Sequence, residues 1–164
     1  DRLLYSLCCS DTDVAGYMQQ LREQGRYTVS DALLAKIRET IAGGFCNDIQ
    51  TREKIGRAWR DHRYLIDTHT AVAYHVLDEY RCETGDAAPA VVVSTASPFK
   101  FCDQVLRGIG GTADAFGPEL IRRLTCETQI DAPAPLTGLD ARPVRFGGCV
   151  DRTQMLHTVD EFLK

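Results

Sequence analysis

Long apolar runs are missing from this chain of 164 residues, in which no stretch approaches twenty consecutive apolar side chains. A helix that crosses a membrane needs about twenty such residues, so the sequence excludes burial in a bilayer. The first residues also lack the order of charged, apolar and small side chains that marks a secretory signal. We therefore expect an unexported protein that works in the cytoplasm, away from membranes.

An excess of positive charge is missing as well, since the formal net charge is −4 at pH 7. A protein that binds the phosphate backbone of a nucleic acid needs a cationic surface. The charge balance therefore argues against a nucleic-acid partner.

Paired cysteine motifs are absent, although the chain has seven cysteines. Their number is odd, their spacing is irregular and no C-x-x-C pair occurs, so neither a disulfide framework nor a zinc site is predicted. Three catalytic signatures are absent too: the G-x-S-x-G nucleophile elbow, the phosphate-binding loop and the H-E-x-x-H metal helix. We expect reduced thiols and no metal.

The length suits one domain, or a piece of a larger one, because 164 residues can bury one good core. No repeats, low-complexity tracts or convincing linkers divide the chain. The first residue is Asp1 rather than Met, and it stands at the start of a predicted helix. We expect residues 1–164 to be a single segment of a longer polypeptide.

Apolar residues at helical spacing, together with capping residues, predict helices along most of the chain. The predicted helices begin at Arg2 and then cover 11–24, 30–42, 50–62, 67–84, 97–110, 119–125 and 151–164. Residues 131–139 carry helix breakers and predict a loop, followed by an extended piece around Val144. The single tryptophan, Trp59, is predicted to anchor the core because it shares a helix face with Ile55.

One stretch, residues 89–93, has the pattern of a strand that is buried on both faces. It is short, rich in valine and free of polar residues, which is typical of a strand within an α/β sheet. The chain then turns directly into a predicted helix, for which Ser97 is the N-cap and Pro98 the first residue. In open α/β sheets, ligands bind beyond the carboxyl ends of the strands, so an anionic or heteroaromatic ligand is predicted there.

Two hydroxyl residues, Ser94 and Thr95, follow this predicted strand. Because successive side chains of a strand point to opposite faces, only one of the two is expected to meet a bound ring. Such a hydroxyl can donate to a heteroaromatic nitrogen. The alternative is that both residues only cap the next helix or satisfy backbone groups.

Three further side chains lie close in sequence to the predicted ligand site. Asp67 is predicted to cap the helix on which His69 lies in the first turn, where the helix dipole opposes protonation of the imidazole. The alternative for His69 is a buried, structural histidine. Lys100 lies in the first turn of its predicted helix, where a cation is electrostatically misplaced, so it indicates either a nearby anion or a solvated surface lysine.

The segments YLIDTHTAVAY, residues 64–74, and VVVSTASPFKF, residues 91–101, closely resemble the C-terminal part of bacterial threonine synthase. Weaker similarity extends to residues 2–5, 84–86 and 151–164, in the same order as in that family. One departure is Thr68, which stands where the family usually has proline. This change loosens the entry to the helix but leaves Asp67 and His69 in place.

The resemblance implies the helix-rich C-terminal portion of a fold type II enzyme that depends on pyridoxal phosphate. This is an α/β fold similar to that of the tryptophan synthase β subunit, with few, mostly parallel strands flanked by helices. The implied reaction is that of a lyase, which converts O-phosphohomoserine and water to threonine and phosphate. The cofactor ring acts as the electron sink in such chemistry.

The resemblance also assigns residues. It implies that Thr95, next to Ser94, contacts the pyridine nitrogen of the cofactor, and that His69, Asp67 and Lys100 line the pocket. The family's Schiff-base lysine and phosphate-binding loop belong to N-terminal motifs, which none of the lysines here matches; these are Lys36, Lys54, Lys100 and Lys164. We therefore expect weak cofactor binding, no activity from this chain alone and a partner in the missing N-terminal region. The alternatives are a non-catalytic binding module derived from the same fold, or a small complete enzyme that uses the Thr95 pocket.

Overall fold

The computed structural model describes residues 1–145 and 147–163, and within these ranges all regular structure is helical. The α-helices are α1 (Arg2–Cys8), α2 (Asp11–Gln24), α3 (Asp31–Arg38), α4 (Asp48–His62), α5 (Thr68–Thr84), α6 (Cys102–Ile109), α7 (Pro118–Thr128) and α8 (Met155–Phe162). Short 3-10 turns cover Pro98–Lys100, Ala134–Leu136, Leu139–Ala141 and Arg152–Gln154. None of the described helices is both long and apolar enough to cross a membrane.

Capping residues set the ends of several helices, as their sequence positions predict. The Asp67 side chain accepts hydrogen bonds from the first-turn N–H groups of α5, and Ser97 caps the turn that begins at Pro98. At the other end, α2, α5 and α6 stop at Gly25, Gly85 and Gly110, each with a positive φ. Glycine adopts this left-handed conformation without steric cost, so it ends the helix cleanly.

The main core lies between α4, α5, α6 and α7. Helix α4 packs against both α5 and α6, and α7 covers the other side of α6. Ile55, Leu106 and Leu124 are fully buried at the centre of this group. Trp59 is partly buried against the same cluster, which confirms it as a core anchor. Helix α1 packs against both α2 and α3, and Leu4 of α1 and Leu33 of α3 are buried.

Two glycines let α4 and α6 cross at close range. A Cβ atom at Gly56 would collide with the carbonyl oxygen of Gly108, and one at Gly108 would lie 2.9 Å from Cβ of Ile55. Neither helix could therefore carry a larger residue at this crossing without moving apart. The crossing fixes how α6, and the turn that precedes it, sit on the core.

The buried strand predicted at residues 89–93 does not form in the described part of the chain. Val91 is 90% exposed and Val93 is 69% exposed, and no β-strand is present among residues 1–145 and 147–163. The valine-rich pattern is suited to a sheet. A strand exists only when a neighbouring strand pairs with its backbone, however, and the described residues supply none.

Other predicted bounds also change. The helix predicted over 97–110 is divided at Phe101, whose φ of −128° is outside the helical range, into the 3-10 turn and α6. The helix predicted over 30–42 ends at Arg38, before the two glycines Gly43 and Gly44. Helix α8 forms within 151–164, and its side chains are exposed. Phe146 and Lys164 lie outside the described residues.

Candidate functional site

Asp67 is the centre of a buried polar network at the start of α5. Its carboxylate is fully buried and accepts hydrogen bonds from the backbone N–H groups of His69, at 2.8 Å, and Thr70, at 3.4 Å. The Thr70 hydroxyl donates to the second carboxylate oxygen. A buried carboxylate needs such donors to offset the loss of water, and the positive end of the helix dipole adds to them.

Thr70 links this carboxylate to Ser94, because the two hydroxyl oxygens lie 3.0 Å apart. A hydroxyl carries one hydrogen. Since Thr70 gives its hydrogen to Asp67, Ser94 is the donor in the Ser94–Thr70 bond. The sequence suggested Asp67 and Ser94 separately but not their connection through Thr70, although the three-residue spacing from Asp67 to Thr70 within one helical turn was a usable signal.

Ser94 and Thr95 have different neighbours. Ser94 contacts the Thr70 hydroxyl and, with Val92 and Tyr74, lines an apolar cavity of about 260 Å³. Both residues are exposed, but Thr95 does not line that cavity. As an exposed residue, Thr95 is open to a group that approaches from outside the helical core.

His69 lies beside Asp67 but projects outward. Its Nδ1 atom is 3.3 Å from Oδ1 of Asp67, and its side chain is 63% exposed. The imidazole rests against the ring of Phe101, with the ring centres 5.1 Å apart. The ring also lines a cavity of about 370 Å³ that reaches Cys46 and Thr51. This exposure is incompatible with the alternative of a buried structural histidine.

The structure places the described lysines in different surroundings. Lys100 is exposed on the turn after Ser97. Lys36 donates to the carbonyl oxygen of Leu7 at 3.1 Å. Lys54 is buried, forms an ion pair with Asp78, and has its ammonium 4.6 Å from the ring centre of Tyr74. The helical spacing of α4 alone did not reveal the burial of Lys54, since its partners lie on α5.

The thiol beside the site belongs to the core. Cys102 is buried at the start of α6, and burial raises its pKa to about 11. Its Sγ donates to the carbonyl oxygen of Phe99 at 3.1 Å. At neutral pH it is therefore a protonated structural residue rather than a nucleophile. All seven cysteines are free thiols in the structure.

A larger cavity, of about 610 Å³, lies between α7 and the segment that follows it. Its most prominent charge, Arg122, bonds to Glu119 and Asp140. The residues predicted from the sequence as site residues do not line this cavity. The Asp67 network and the segment 94–95 therefore remain the candidate site.

Comparison with protein families identifies residues 70–161 with the family described as threonine synthase, C-terminal. This match begins at Thr70 and includes Ser94, Thr95 and Lys100. It covers more than half of the chain.

Individual proteins show the same similarity. The chain is 29% identical over 121 residues to the threonine synthase of Pseudomonas aeruginosa, covering 73% of this chain and 25% of that protein. It is 27% identical over 110 residues to threonine synthase-like 2 of Xenopus laevis, covering 65% of this chain and 23% of the relative. The similarity thus reaches beyond bacteria, and the chain spans about a quarter of the length of these relatives.

Two solved structures share the fold. The PLP-bound threonine synthase from Brucella melitensis superposes with a TM-score of 0.70 at 28% identity, covering 99% of this chain and 30% of that one. The threonine synthase from yeast gives a TM-score of 0.72 at 18% identity, covering 99% of this chain and 32% of that one. Nearly every residue of this chain thus has a structural counterpart within a polypeptide that is much longer.

Proposed function

The chain belongs to the threonine synthase C-terminal family, and from that premise we propose that residues 1–164 are one C-terminal segment of a threonine synthase. The whole enzyme is a cytoplasmic lyase of fold type II. It converts O-phospho-L-homoserine and water to L-threonine and phosphate with pyridoxal phosphate as cofactor. The segment alone is inactive, because the lysine that would hold the cofactor lies in the remaining polypeptide.

The observation that carries this proposal is the exposed segment 89–95. Val91 and Val93 are solvent-exposed, yet the end of the segment is anchored to the buried Asp67 network through Ser94. A valine-rich stretch whose backbone pairs with no strand among residues 1–145 and 147–163 is suited to join the edge of a sheet, where its main-chain groups gain partners. We assign it as a strand of the predicted sheet, paired with strands from the rest of the polypeptide.

Helix α8 supports the same assignment over the alternative of an independent binding module. Leu156 is 76% exposed, Met155 is 57% exposed and Val159 is 53% exposed. A helix of eight residues with an uncovered apolar face is not stable in water by itself. A self-sufficient module would cover such a face, whereas a segment taken from a larger protein leaves it for the missing part to cover.

The residues present are compatible with the cofactor. The exposed hydroxyl of Thr95 is available as a hydrogen-bond donor to a ring nitrogen, and Ser94 fixes the backbone beside it. Pyridoxal phosphate, when bound, supplies the electron sink for the reaction. Lys54 is held by Asp78, which argues against a role as the covalent anchor. The lysine that binds the cofactor covalently is therefore assigned to another part of the enzyme.

Within this assignment each side chain of the segment has a limited task. Thr95 orients the ring by a neutral hydrogen bond, and Ser94, Thr70 and Asp67 keep the Thr95 backbone in place. The partly buried wall of Tyr74 and Val92 keeps water from one side of the segment. Lys100, exposed on the 3-10 turn that follows Ser97, is assigned as a cation that lines the pocket.

The replacement Thr95→Val in the full-length enzyme tests the proposal. It should preserve covalent attachment of the cofactor, shift the cofactor's absorption and lower kcat by about tenfold or more, equivalent to ~1.4 kcal/mol in the barrier. Thr40→Val is a matched control, because Thr40 is exposed in the turn after α3. Unchanged absorption and turnover in Thr95→Val would remove Thr95 from the site.

A further inference from the structure

We infer that His69 and Asp67 form a carboxylate–imidazole pair, whose Nε2 atom accepts a proton from a hydroxyl-bearing ligand in the cavity beside Cys46 and Thr51. The inference rests on the proposed function only for the identity of that ligand, which is the water consumed by the reaction. The pair itself follows from geometry within this chain.

The first step is the protonation of the imidazole ring. Nδ1 of His69 is 3.3 Å from the carboxylate of Asp67 and 3.5 Å from the Thr68 hydroxyl. An ionised carboxylate can only accept a hydrogen bond, and a hydroxyl can accept one as well as donate one. A neutral imidazole has one N–H group, and its partners determine which nitrogen carries it. Both neighbours can accept from Nδ1, and the negative charge of Asp67 attracts the hydrogen to that nitrogen, which leaves Nε2 with a free lone pair.

The second step is the rigidity of the pair. Asp67 is fixed by the first-turn N–H groups of α5 and by the Thr70 hydroxyl. On its other side the imidazole is supported by the ring of Phe101. A base that is held in one orientation by a carboxylate and by packing is pre-organised for proton transfer.

The third step concerns the other polar groups that line the cavity. None of them offers a neutral nitrogen acceptor comparable to Nε2 of His69. The Thr51 hydroxyl donates to the carbonyl oxygen of Asn47 at 2.9 Å. The Gln104 side chain accepts from Arg52 at 3.2 Å and donates to Asp103 at 2.9 Å. Asp48, exposed at the start of α4, also lines the cavity.

The fourth step links the pair to Thr95. The carboxylate that orients His69 also holds Ser94 through Thr70. The proton acceptor and Ser94, the chain neighbour of Thr95, are thus linked to a single buried side chain. Asp67 and Thr70 are positioning residues in this arrangement, because they act through His69 and Ser94.

The proposed proton transfer is chemically balanced. The O–H bond of the ligand breaks, its electron pair stays on oxygen, and a new N–H bond forms at Nε2 of His69. The resulting imidazolium carries one positive charge next to the negative charge of Asp67, which stabilises it. The proton returns to solvent from the exposed ring.

The first test is a nitrogen NMR measurement on the chain labelled at its histidines. The neutral His69 ring should show a protonated Nδ1 and a pyridine-like Nε2. Asp67→Asn keeps a helix cap but removes the charge, so it should shift the ring toward the Nε2–H form. A wild-type ring already in the Nε2–H form, or a tautomer unaffected by Asp67→Asn, overturns the inference.

The second test is threonine formation by the full-length enzyme. His69→Asn keeps a donor near Asp67 but lacks Nε2, and it should lower kcat by roughly 10²–10⁴-fold with little change in the cofactor's absorption. His157→Asn replaces an exposed histidine on α8 and is the matched control. A kcat for His69→Asn within twofold of wild type overturns the catalytic role. A wild-type enzyme without turnover would instead overturn the proposed function, and the tautomer measurement would still decide the pair.

Discussion

The close crossing of α4 and α6 makes a prediction in which the same substitution has opposite effects at two sites. In a helix interior, replacing glycine by alanine adds about 1 kcal/mol of helix propensity. At Gly56 the new Cβ meets the backbone oxygen of Gly108, which cannot turn away as a flexible side chain would. Gly16, within α2, has no heavy atom within 4 Å of the corresponding position.

The magnitudes follow from this contrast. Forcing extra volume into a packed contact costs roughly 1–3 kcal/mol, and a backbone collision belongs at the upper end. After subtracting about 1 kcal/mol for propensity, Gly56→Ala should lower the free energy of unfolding by ~2 kcal/mol. Gly16→Ala should raise it by up to ~1 kcal/mol.

Urea unfolding measures both effects. Trp59 fluorescence follows the α4 core, and circular dichroism at 222 nm follows all the helices. The urea midpoint should be lower than that of wild type for Gly56→Ala and higher for Gly16→Ala. The dependence of the unfolding free energy on urea concentration should be unchanged in both variants. If Gly56→Ala is as stable as wild type or more stable, then the two helices do not cross at the distance described here.

Three further predictions concern single side chains. Leu124→Ala removes a fully buried side chain and should destabilise the chain by about 2–5 kcal/mol in the same unfolding assay. Burial raises the pKa of Cys102 to about 11, so this thiol should resist alkylation at pH 8, whereas the exposed thiol of Cys126 should react. Peptide mass mapping measures the labelling of each cysteine, and equal labelling rates in the folded chain would contradict the prediction. The hydrogen bond from Arg122 lowers the pKa of Asp140, so its contribution to stability is present above the unfolded-state pKa and is lost as the pH falls through the folded-state pKa. In an NMR titration, Arg122→Gln should raise the pKa of Asp140 toward its ordinary value, and an unmoved titration would refute the assignment.

Local features of the fold could be predicted because they depend on neighbouring residues. Asp67, Ser97 and the glycines at 25, 85 and 110 each act within one helical turn, and their capping roles are confirmed. The break at Phe101 was not foreseen, because Ser97 and Pro98 predict the start of a helix that would include it. The break depends on tertiary packing, because Phe99 in the 3-10 turn and Cys102 in α6 are both buried in the core. The turn and the helix therefore each contact the core.

Features that depend on distant residues could not be predicted in this way. The valine-rich pattern of residues 89–93 indicates that the segment is suited to a β-sheet. It does not indicate whether neighbouring strands are present to pair with it. Likewise, the burial of Lys54 depends on Asp78 and Tyr74 of α5. Of the residues predicted for the site, Asp67, His69 and Ser94 lie together in the structure. The link from Asp67 to Ser94 through Thr70 depends on the tertiary fold and was not predicted.

The most direct test of the account compares phosphate release from O-phosphohomoserine by the 164-residue chain with release by the full-length enzyme, both supplied with pyridoxal phosphate. The account predicts turnover by the full-length enzyme and none by the chain alone, even at high cofactor concentration. Clear turnover by the chain alone would contradict it, because the chemistry would then need no lysine from outside these residues.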